Sequence, residues 1–230
     1  MVEIKRQWPH LSGTLFLSSL VSVGFFGVWT RLNDSYAYWY LIWNLFLAWL
    51  PLLFMLWLQR MLRHKRWSSW QGIVLSVLWL GFLPNSFYIV TDLIHLADTG
   101  TRDIVFDAVM LTSFVVTGLL LGFTSLYLFH MELRRRIPTR TASRLVALIL
   151  FLCSFAIYLG RDLRWNTWDL FLNPAGILFD VSDRLIDPLG HPQMYLTTAS
   201  FFVLLGMFYV ITWNVVRAVK VTTIHKIEDR

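Results

Sequence analysis

Residues 108–131 read AVMLTSFVVTGLLLGFTSLYLFHM and contain no Asp, Glu, Lys or Arg. A helix needs about 20 apolar residues to cross the hydrocarbon core of a bilayer, so this stretch predicts a transmembrane helix. Irregular backbone is not tolerated against lipid, because its polar groups would lack hydrogen-bond partners. The stretch therefore favours an all-α membrane fold.

The rest of the 230-residue chain has the same character. Hydrophobic residues make up 57% of it and charged residues only 15%, against about 25% charged residues in an ordinary soluble domain. Too little polar surface is present to cover a water-soluble globule. We predict a polytopic membrane helix bundle, a single six-helix domain over residues 1–230. Its spans lie at roughly 11–30, 36–59, 70–92, 105–130, 145–160 and 194–216.

The first and fifth spans are the least regular of the six. The first follows Lys5 and Arg6, as a secretory signal does, but no small-residue cleavage site comes after it. We expect an uncleaved membrane helix there. The fifth is short, and Arg144 and Arg161 at its ends can extend their charged groups toward the lipid headgroups.

Basic residues predict the orientation of the chain. The N-terminus, the loops after the second and fourth spans, and the C-terminus together carry 15 of the 20 lysines and arginines. Because short cytoplasmic loops are enriched in these residues, we expect both termini in the cytoplasm. The net charge of +6 then indicates attraction to anionic lipid at the cytoplasmic face of the bilayer. It does not indicate nucleic-acid binding.

Polar residues gather at the outer end of the third span, at steps of three, four and three residues that place them on one helical face. They are Asn85, Tyr88, Asp92 and His95. Asp107, one turn into the fourth span, is their expected partner. Polar groups at membrane depth are functional candidates. We predict Asp92, His95 and Asp107 as acid–base residues or metal ligands, with Asn85 and Tyr88 contacting substrate.

Structural roles can also account for these residues, and both interpretations stay open. Asn85 can satisfy backbone that Pro84 leaves without a donor. Asp92 and His95 can form a solvated helix end at the membrane interface.

A second outer segment, residues 160–169, has two arginines between aromatic residues. Guanidinium groups suit phosphate and carboxylate, so this segment is a candidate anion-binding and substrate-binding site. Its candidates are Arg161, Arg164, Asn166 and Asp169. Interfacial anchoring with Arg–Asp pairs is the alternative. Residues 174–188 then separate apolar from charged side chains and predict an amphipathic interfacial helix between the fifth and sixth spans.

Three stretches carry a resemblance to a known family. They are Pro84-Asn85 with residues 88–96, Phe106-Asp107 leading into residues 118–122, and residues 160–169. Together they resemble the bacterial integral-membrane family catalogued as domain of unknown function 1361. The resemblance implies a multi-pass protein of a bacterial plasma membrane, and it carries no assigned activity.

The sequence leaves the biochemical function open. It contains no nucleotide-binding loop, zinc spacing or nucleophile elbow, so the cofactor stays unknown. Ser86 and Thr91 are candidate nucleophiles, and nothing in the sequence indicates that either is activated. Cys153 is the sole cysteine, which excludes an intramolecular disulfide. Three hypotheses remain: an enzyme acting on a lipid-linked or envelope substrate, a small transporter, and an assembly subunit that binds a protein partner or a second copy.

Overall fold

The computed structural model describes the backbone of residues 2–98, 104–165, 168–187 and 190–228, and within these ranges every regular element is a helix. The elements are α1 Val2–Asn33, α2 Trp39–Met61, α3 Trp70–Tyr88, a 3-10 helix Ile89–Asp98, α4 Ile104–Arg134, α5 Thr139–Asp162, α6 Asp169–Leu172, α7 Pro174–Ile186 and α8 Pro192–Glu228. The predicted all-α fold is confirmed.

Six segments are long and apolar enough to cross a membrane. They are Leu11–Asn33, Trp39–Met61, Trp70–Leu96, Ile104–Arg134, Thr139–Asp162 and Pro192–Val219. Each contains the matching predicted span or nearly all of it. The fifth is longer than its charge-free stretch, because the helix continues through Arg144 and Arg161. The chain is therefore a multi-pass membrane protein.

Contacts divide the chain into two compact units, residues 1–125 and 126–230, with the boundary inside α4. The prediction of a single domain stays a prediction. In the first unit, small residues bring α3 and α4 together. A Cβ on Gly118 would lie 2.6 Å from Ile89 Cγ2, and one on Gly122 would lie 2.7 Å from Phe87 Cε1. Only glycine permits so close an approach of the two helices.

Hydroxyl groups join the remaining helices of the first unit. The Ser86 hydroxyl on α3 donates to the carbonyl of Ala48 on α2, at 3.0 Å. Ser18 Oγ of α1 and Thr117 Oγ1 of α4 share a 2.6 Å hydrogen bond. Such bonds satisfy polar groups at membrane depth, where water is absent. They join α2 to α3 and α1 to α4.

In the second unit α5 packs on α8, and the predicted amphipathic segment forms α7. Asn173 caps α7, since its Oδ1 accepts from the Gly176 backbone N–H at 3.1 Å, and Pro174 occupies the first turn. The side chains of Leu178 and Phe179 are exposed. The position of α7 at a membrane interface stays a prediction.

Candidate functional site

The predicted carboxylates, Asp92 and Asp107, lie at one end of the first unit. α1 ends and α2 begins there, joined by a short turn, and the 3-10 helix and the start of α4 lie at the same end. The α-helix of the third span gives way to a 3-10 helix after Tyr88. Because a 3-10 helix has three residues per turn, Asp92 and His95 still share one face.

Asp107 is buried in this end of the unit and is bound by α1. Its side chain is 1% exposed, and its Oδ1 accepts a 2.7 Å hydrogen bond from Trp29 Nε1. Trp29 is itself only 3% exposed. A buried carboxylate is costly unless it is hydrogen-bonded, so this bond fixes the end of α1 to the first turn of α4.

Asp92 is buried in the same way and is bound by α2. Its side chain is 3% exposed, and Asn44 Nδ2 donates a 2.9 Å hydrogen bond to its Oδ2. His95, one 3-10 turn further on, is half-buried. Its ring centroid lies 5.3 Å from that of Tyr40 on α2. The imidazole is therefore the more accessible of the two groups.

Aromatic contacts link the two carboxylates into one network. The ring of Trp29 lies edge-on to Tyr38, with centroids 4.7 Å apart. Tyr38 contacts Tyr40 at 6.1 Å, and Tyr40 contacts His95. We call the set Trp29, Tyr38, Tyr40, Asn44, Asp92, His95 and Asp107 the polar network. It connects α1, α2, the 3-10 helix and α4.

Asn85 and Tyr88 have local contacts beside this network. The Asn85 side chain donates to the carbonyl of Phe82 at 3.1 Å, which places its amide against the backbone of its own helix. The side chain of Tyr88 is half-buried, and its carbonyl accepts from the Thr91 hydroxyl at 2.8 Å. Thr91, like Ser86, thus donates to a backbone carbonyl.

The segment of residues 160–169 belongs to the second unit. Arg161 is half-buried at the end of α5, and Arg164 is exposed with a φ of 59°. No hydrogen bond or salt bridge joins either arginine to another residue of the described chain. Asp169 begins α6. Asn166 lies outside the described residues.

Possible ligands of a metal ion occur in the part of the chain that the structure describes. No group of three or more His, Cys, Asp or Glu side chains is arranged there to hold one. Within the polar network, Asp92 and Asp107 each accept a hydrogen bond from a neutral N–H group. The described geometry of the polar network therefore consists of hydrogen bonds and ring contacts.

An open groove of about 1050 Å³ runs between α1 and α4 and reaches this end of the unit. Leu17 and Val21 line it from α1, and Val109 and Val116 line it from α4. Its last lining residues directly adjoin the polar network in the chain, since Leu96 follows His95 and Ala108 follows Asp107.

Three of the hydroxyl side chains along this groove are already hydrogen-bonded within the protein. Ser18 pairs with Thr117, Ser22 donates to the Ser18 carbonyl at 3.2 Å, and Ser113 donates to the Met110 carbonyl at 2.7 Å. What the groove offers to an incoming molecule is therefore mainly apolar surface.

Four members of the polar network were missed by the sequence analysis. Asn44 carried a usable signal, because it is an amide inside an apolar span. Trp29, Tyr38 and Tyr40 carried none, since aromatic residues near span ends are common at membrane interfaces. Their roles depend on which helices are neighbours.

These features define a multi-pass membrane protein with a buried polar network at one end of its first unit. The family described as "Protein of unknown function (DUF1361)" matches residues 43–211, and the chain belongs to this family. The predicted resemblance is confirmed. The match includes Asn44, Asp92, His95 and Asp107. No curated protein and no solved structure matches the chain.

Proposed function

We propose that this membrane protein binds a lipid-tailed molecule in its first unit. The tail lies in the groove between α1 and α4, and the polar head lies at the polar network. The observation that carries the proposal is that one end of the groove adjoins His95 and Asp107. By the distribution of basic residues this end faces away from the cytoplasm, in a bacterial plasma membrane with both termini cytoplasmic.

The lining of the groove favours a hydrocarbon chain over a polar solute. Both walls belong to segments long enough to cross a membrane, so the groove lies at the depth of lipid tails. Three of its hydroxyl side chains, Ser18, Ser22 and Ser113, have partners within the protein. A solute that needs hydrogen bonds would lose its hydration there without replacement. The same property speaks against a polar transport path through this groove.

The polar network favours a head group that donates hydrogen bonds. Carboxylates act as acceptors for hydroxyl and amine groups, and Asp92 and Asp107 lie on two sides of the network. His95 is the half-buried member and is placed to exchange a proton with a bound head. An enzyme acting on a lipid-linked or envelope substrate is therefore the second candidate, with His95 as its acid–base residue.

Photochemical labelling tests the binding proposal. The probe is a phospholipid with a diazirine in one acyl chain, at low mole fraction in phosphatidylcholine vesicles that contain the protein. We expect labelled peptides from α1 and α4 at Leu17, Val21, Val109 and Val116. Labelling in proportion to exposed apolar surface over all six spans would contradict the proposal.

A matched pair of variants sharpens this test. Val109→Trp places an indole in the groove, and Val203→Trp places one on the exposed side of α8, where Val203 is 67% exposed. We expect Val109→Trp to reduce labelling of α1 at least threefold and Val203→Trp to leave it unchanged. Equal effects of the two variants would mean that the groove is not a binding site.

The enzymatic candidate has its own test. His95→Gln keeps the approximate size and hydrogen-bonding capacity of the side chain but removes the imidazole as an acid–base group. If the site performs acid–base chemistry, a strain with this variant has the phenotype of a deletion strain while the protein stays abundant and still takes the lipid probe. Wild-type behaviour in the strain would leave lipid binding without chemistry at His95.

The arginine segment is proposed separately as an anion-binding site of the second unit. Arg161, Arg164, Asn166 and Asp169 are its members, and the exposed position of Arg164 beside the half-buried Arg161 supports it. Arg161→Gln with Arg164→Gln should abolish binding of inorganic phosphate to the purified protein, measured by titration calorimetry. Unchanged binding of phosphate would assign these arginines to membrane anchoring.

A further inference from the structure

The second unit contains a buried polar cluster that the proposed function does not use. His130 on α4 is only 4% exposed, and its Nδ1 shares a 2.8 Å hydrogen bond with the hydroxyl of Tyr209 on α8. Its imidazole stacks on Trp213, with ring centroids 4.3 Å apart and planes 26° from parallel. The ring is therefore fixed in place from two directions.

The second imidazole nitrogen is buried without a partner. His130 Nε2 makes no hydrogen bond to any residue that the structure describes. A buried polar atom left without a partner costs free energy on the scale of a lost hydrogen bond. Because the ring is held by both Tyr209 and Trp213, it cannot turn this nitrogen outward without losing those contacts. An external hydrogen-bonding group would complete the site.

Arg134 supplies a positive charge at the same Trp213 side chain that His130 stacks on. It follows His130 by four residues, one helical turn, and its guanidinium carbon lies 5.1 Å from the centroid of the Trp213 ring. The aromatic face holds the cation. No hydrogen bond or salt bridge engages Arg134 elsewhere in the described chain. Its N–H groups are thus available for an anion.

Glu132, two residues before Arg134 in the sequence, does not pair with the Arg134 guanidinium. Glu132 is buried, and it is bound by Arg135 at 2.7 Å and by Arg136. Arg136 also donates to the Glu132 carbonyl at 3.0 Å. Both described ion pairs of Glu132 are thus made by Arg135 and Arg136, and neither involves Arg134.

The depth of the cluster in the membrane indicates which anion it would bind. Arg134 is the last residue of the membrane-crossing segment Ile104–Arg134, and a guanidinium at the end of such a segment reaches the level of the lipid headgroups. Guanidinium groups bind phosphate with paired, charge-assisted hydrogen bonds. The phosphate of a phospholipid is the anion present at this level in every bilayer.

We propose that Arg134, His130 and Trp213 form a binding site for the phosphate of a membrane phospholipid. Arg134 binds the phosphate oxygens, Trp213 orients the guanidinium, and His130 Nε2 donates to a further phosphate oxygen. The acyl chains lie against the exposed apolar side of α8. This site is separate from the groove of the first unit, and either can exist without the other.

Lipid retention by the purified full-length protein tests the site. The protein in detergent is titrated with phosphatidylglycerol, with diacylglycerol of the same acyl chains, and with inorganic phosphate, and bound molecules are counted by native mass spectrometry. We expect phosphatidylglycerol to bind at least tenfold more tightly than diacylglycerol. Inorganic phosphate at millimolar concentration should not displace it, because the site also holds the tails. Equal binding of the two lipids, or displacement by phosphate, would overturn the proposal.

Charge-matched variants assign the effect to this cluster. Arg134→Gln should weaken phosphatidylglycerol binding about tenfold, as expected for loss of a charge-assisted hydrogen bond. Arg140→Gln removes the same charge from an exposed position at the start of α5 and should change binding less than twofold. Equal losses in the two variants would mean that only net charge attracts the lipid.

Two further variants keep the test decisive if Arg134→Gln fails to fold. Arg134→Lys keeps the charge but not the planar fork, and should lose part of the affinity. His130→Phe keeps the stacking on Trp213 and removes both nitrogens, and should weaken binding of phosphatidylglycerol but not of diacylglycerol. Full affinity in both folded variants would overturn the proposal.

Discussion

Trp29 Nε1 donates a 2.7 Å hydrogen bond to Asp107 Oδ1, between two side chains that are both buried. The bond joins α1 to α4, the two helices that form the walls of the groove. A second bond, between Ser18 and Thr117, joins the same helices deeper in the unit. The shape of the groove therefore depends on polar contacts at two depths.

Removing the indole N–H should destabilise the protein. Trp29→Phe leaves Asp107 buried without this donor, and an unsatisfied buried group costs about 1–3 kcal/mol. The loss in free energy of unfolding is measured by unfolding the protein in mixed micelles with a rising fraction of dodecyl sulfate. Trp43→Phe is the control, because Trp43 is 46% exposed and should cost less than about 0.5 kcal/mol. Similar losses in the two variants would show that the Trp29–Asp107 bond contributes nothing specific.

The Asn44–Asp92 pair should show coupling between its two members. Asn44→Leu leaves the Asp92 carboxylate without the 2.9 Å donor, and we expect a loss of about 1–3 kcal/mol. Adding Asp92→Leu removes the buried acceptor as well, and part of the loss should return because an apolar pair needs no hydrogen bond. The same unfolding assay gives the coupling energy. Strictly additive losses would contradict a direct interaction between the two side chains.

The close contact of α3 and α4 makes a steric prediction. Gly122→Ala places a methyl group 2.7 Å from Phe87 Cε1 and 2.8 Å from Ser86 Cβ, so the helices must separate at a cost of about 1–3 kcal/mol. Gly24→Ala is the matched control, because a Cβ there has no neighbour within 4 Å. Its stability should stay the same or rise slightly, since alanine is the better helix former. Equal behaviour of both variants would rule out a glycine-mediated contact.

Topology can be checked by labelling single cysteines in intact cells. Tyr36→Cys lies in the exposed turn between α1 and α2, and Ser68→Cys lies in the exposed turn before α3. Cys153 is fully buried and should stay unlabelled. We expect a membrane-impermeant maleimide to label position 36 at once and position 68 only after permeabilisation. The opposite pattern would reverse the orientation inferred from the basic residues.

The fold followed from the sequence because membrane insertion depends on composition over long windows. Six charge-free stretches predicted six apolar helices, and each was found close to its expected place. The helix of the fifth span continues past Arg144 and Arg161, because long side chains let a helix carry arginine near its boundary.

The candidate site could be predicted from the sequence less completely than the fold. Asp92, His95 and Asp107 were selected because ionisable groups near membrane depth are unusual, and the structure places them in one network. Asn44 could have been selected as an amide inside an apolar span. Its contact with Asp92, like the contacts of Trp29, Tyr38 and Tyr40, depends on helix packing and not on spacing within one helix. Asn85 lies in α3, and its amide donates to the Phe82 carbonyl of the same helix. Its contact with a substrate stays a prediction.

Electron cryomicroscopy of the protein in phospholipid nanodiscs tests the central claim most directly, namely that the groove between α1 and α4 holds a lipid tail. We predict elongated density along Val21 and Val109 that ends in a head group within hydrogen-bonding distance of His95. Density there no stronger than that of the lipid against Leu148, an exposed residue of α5, would contradict the account.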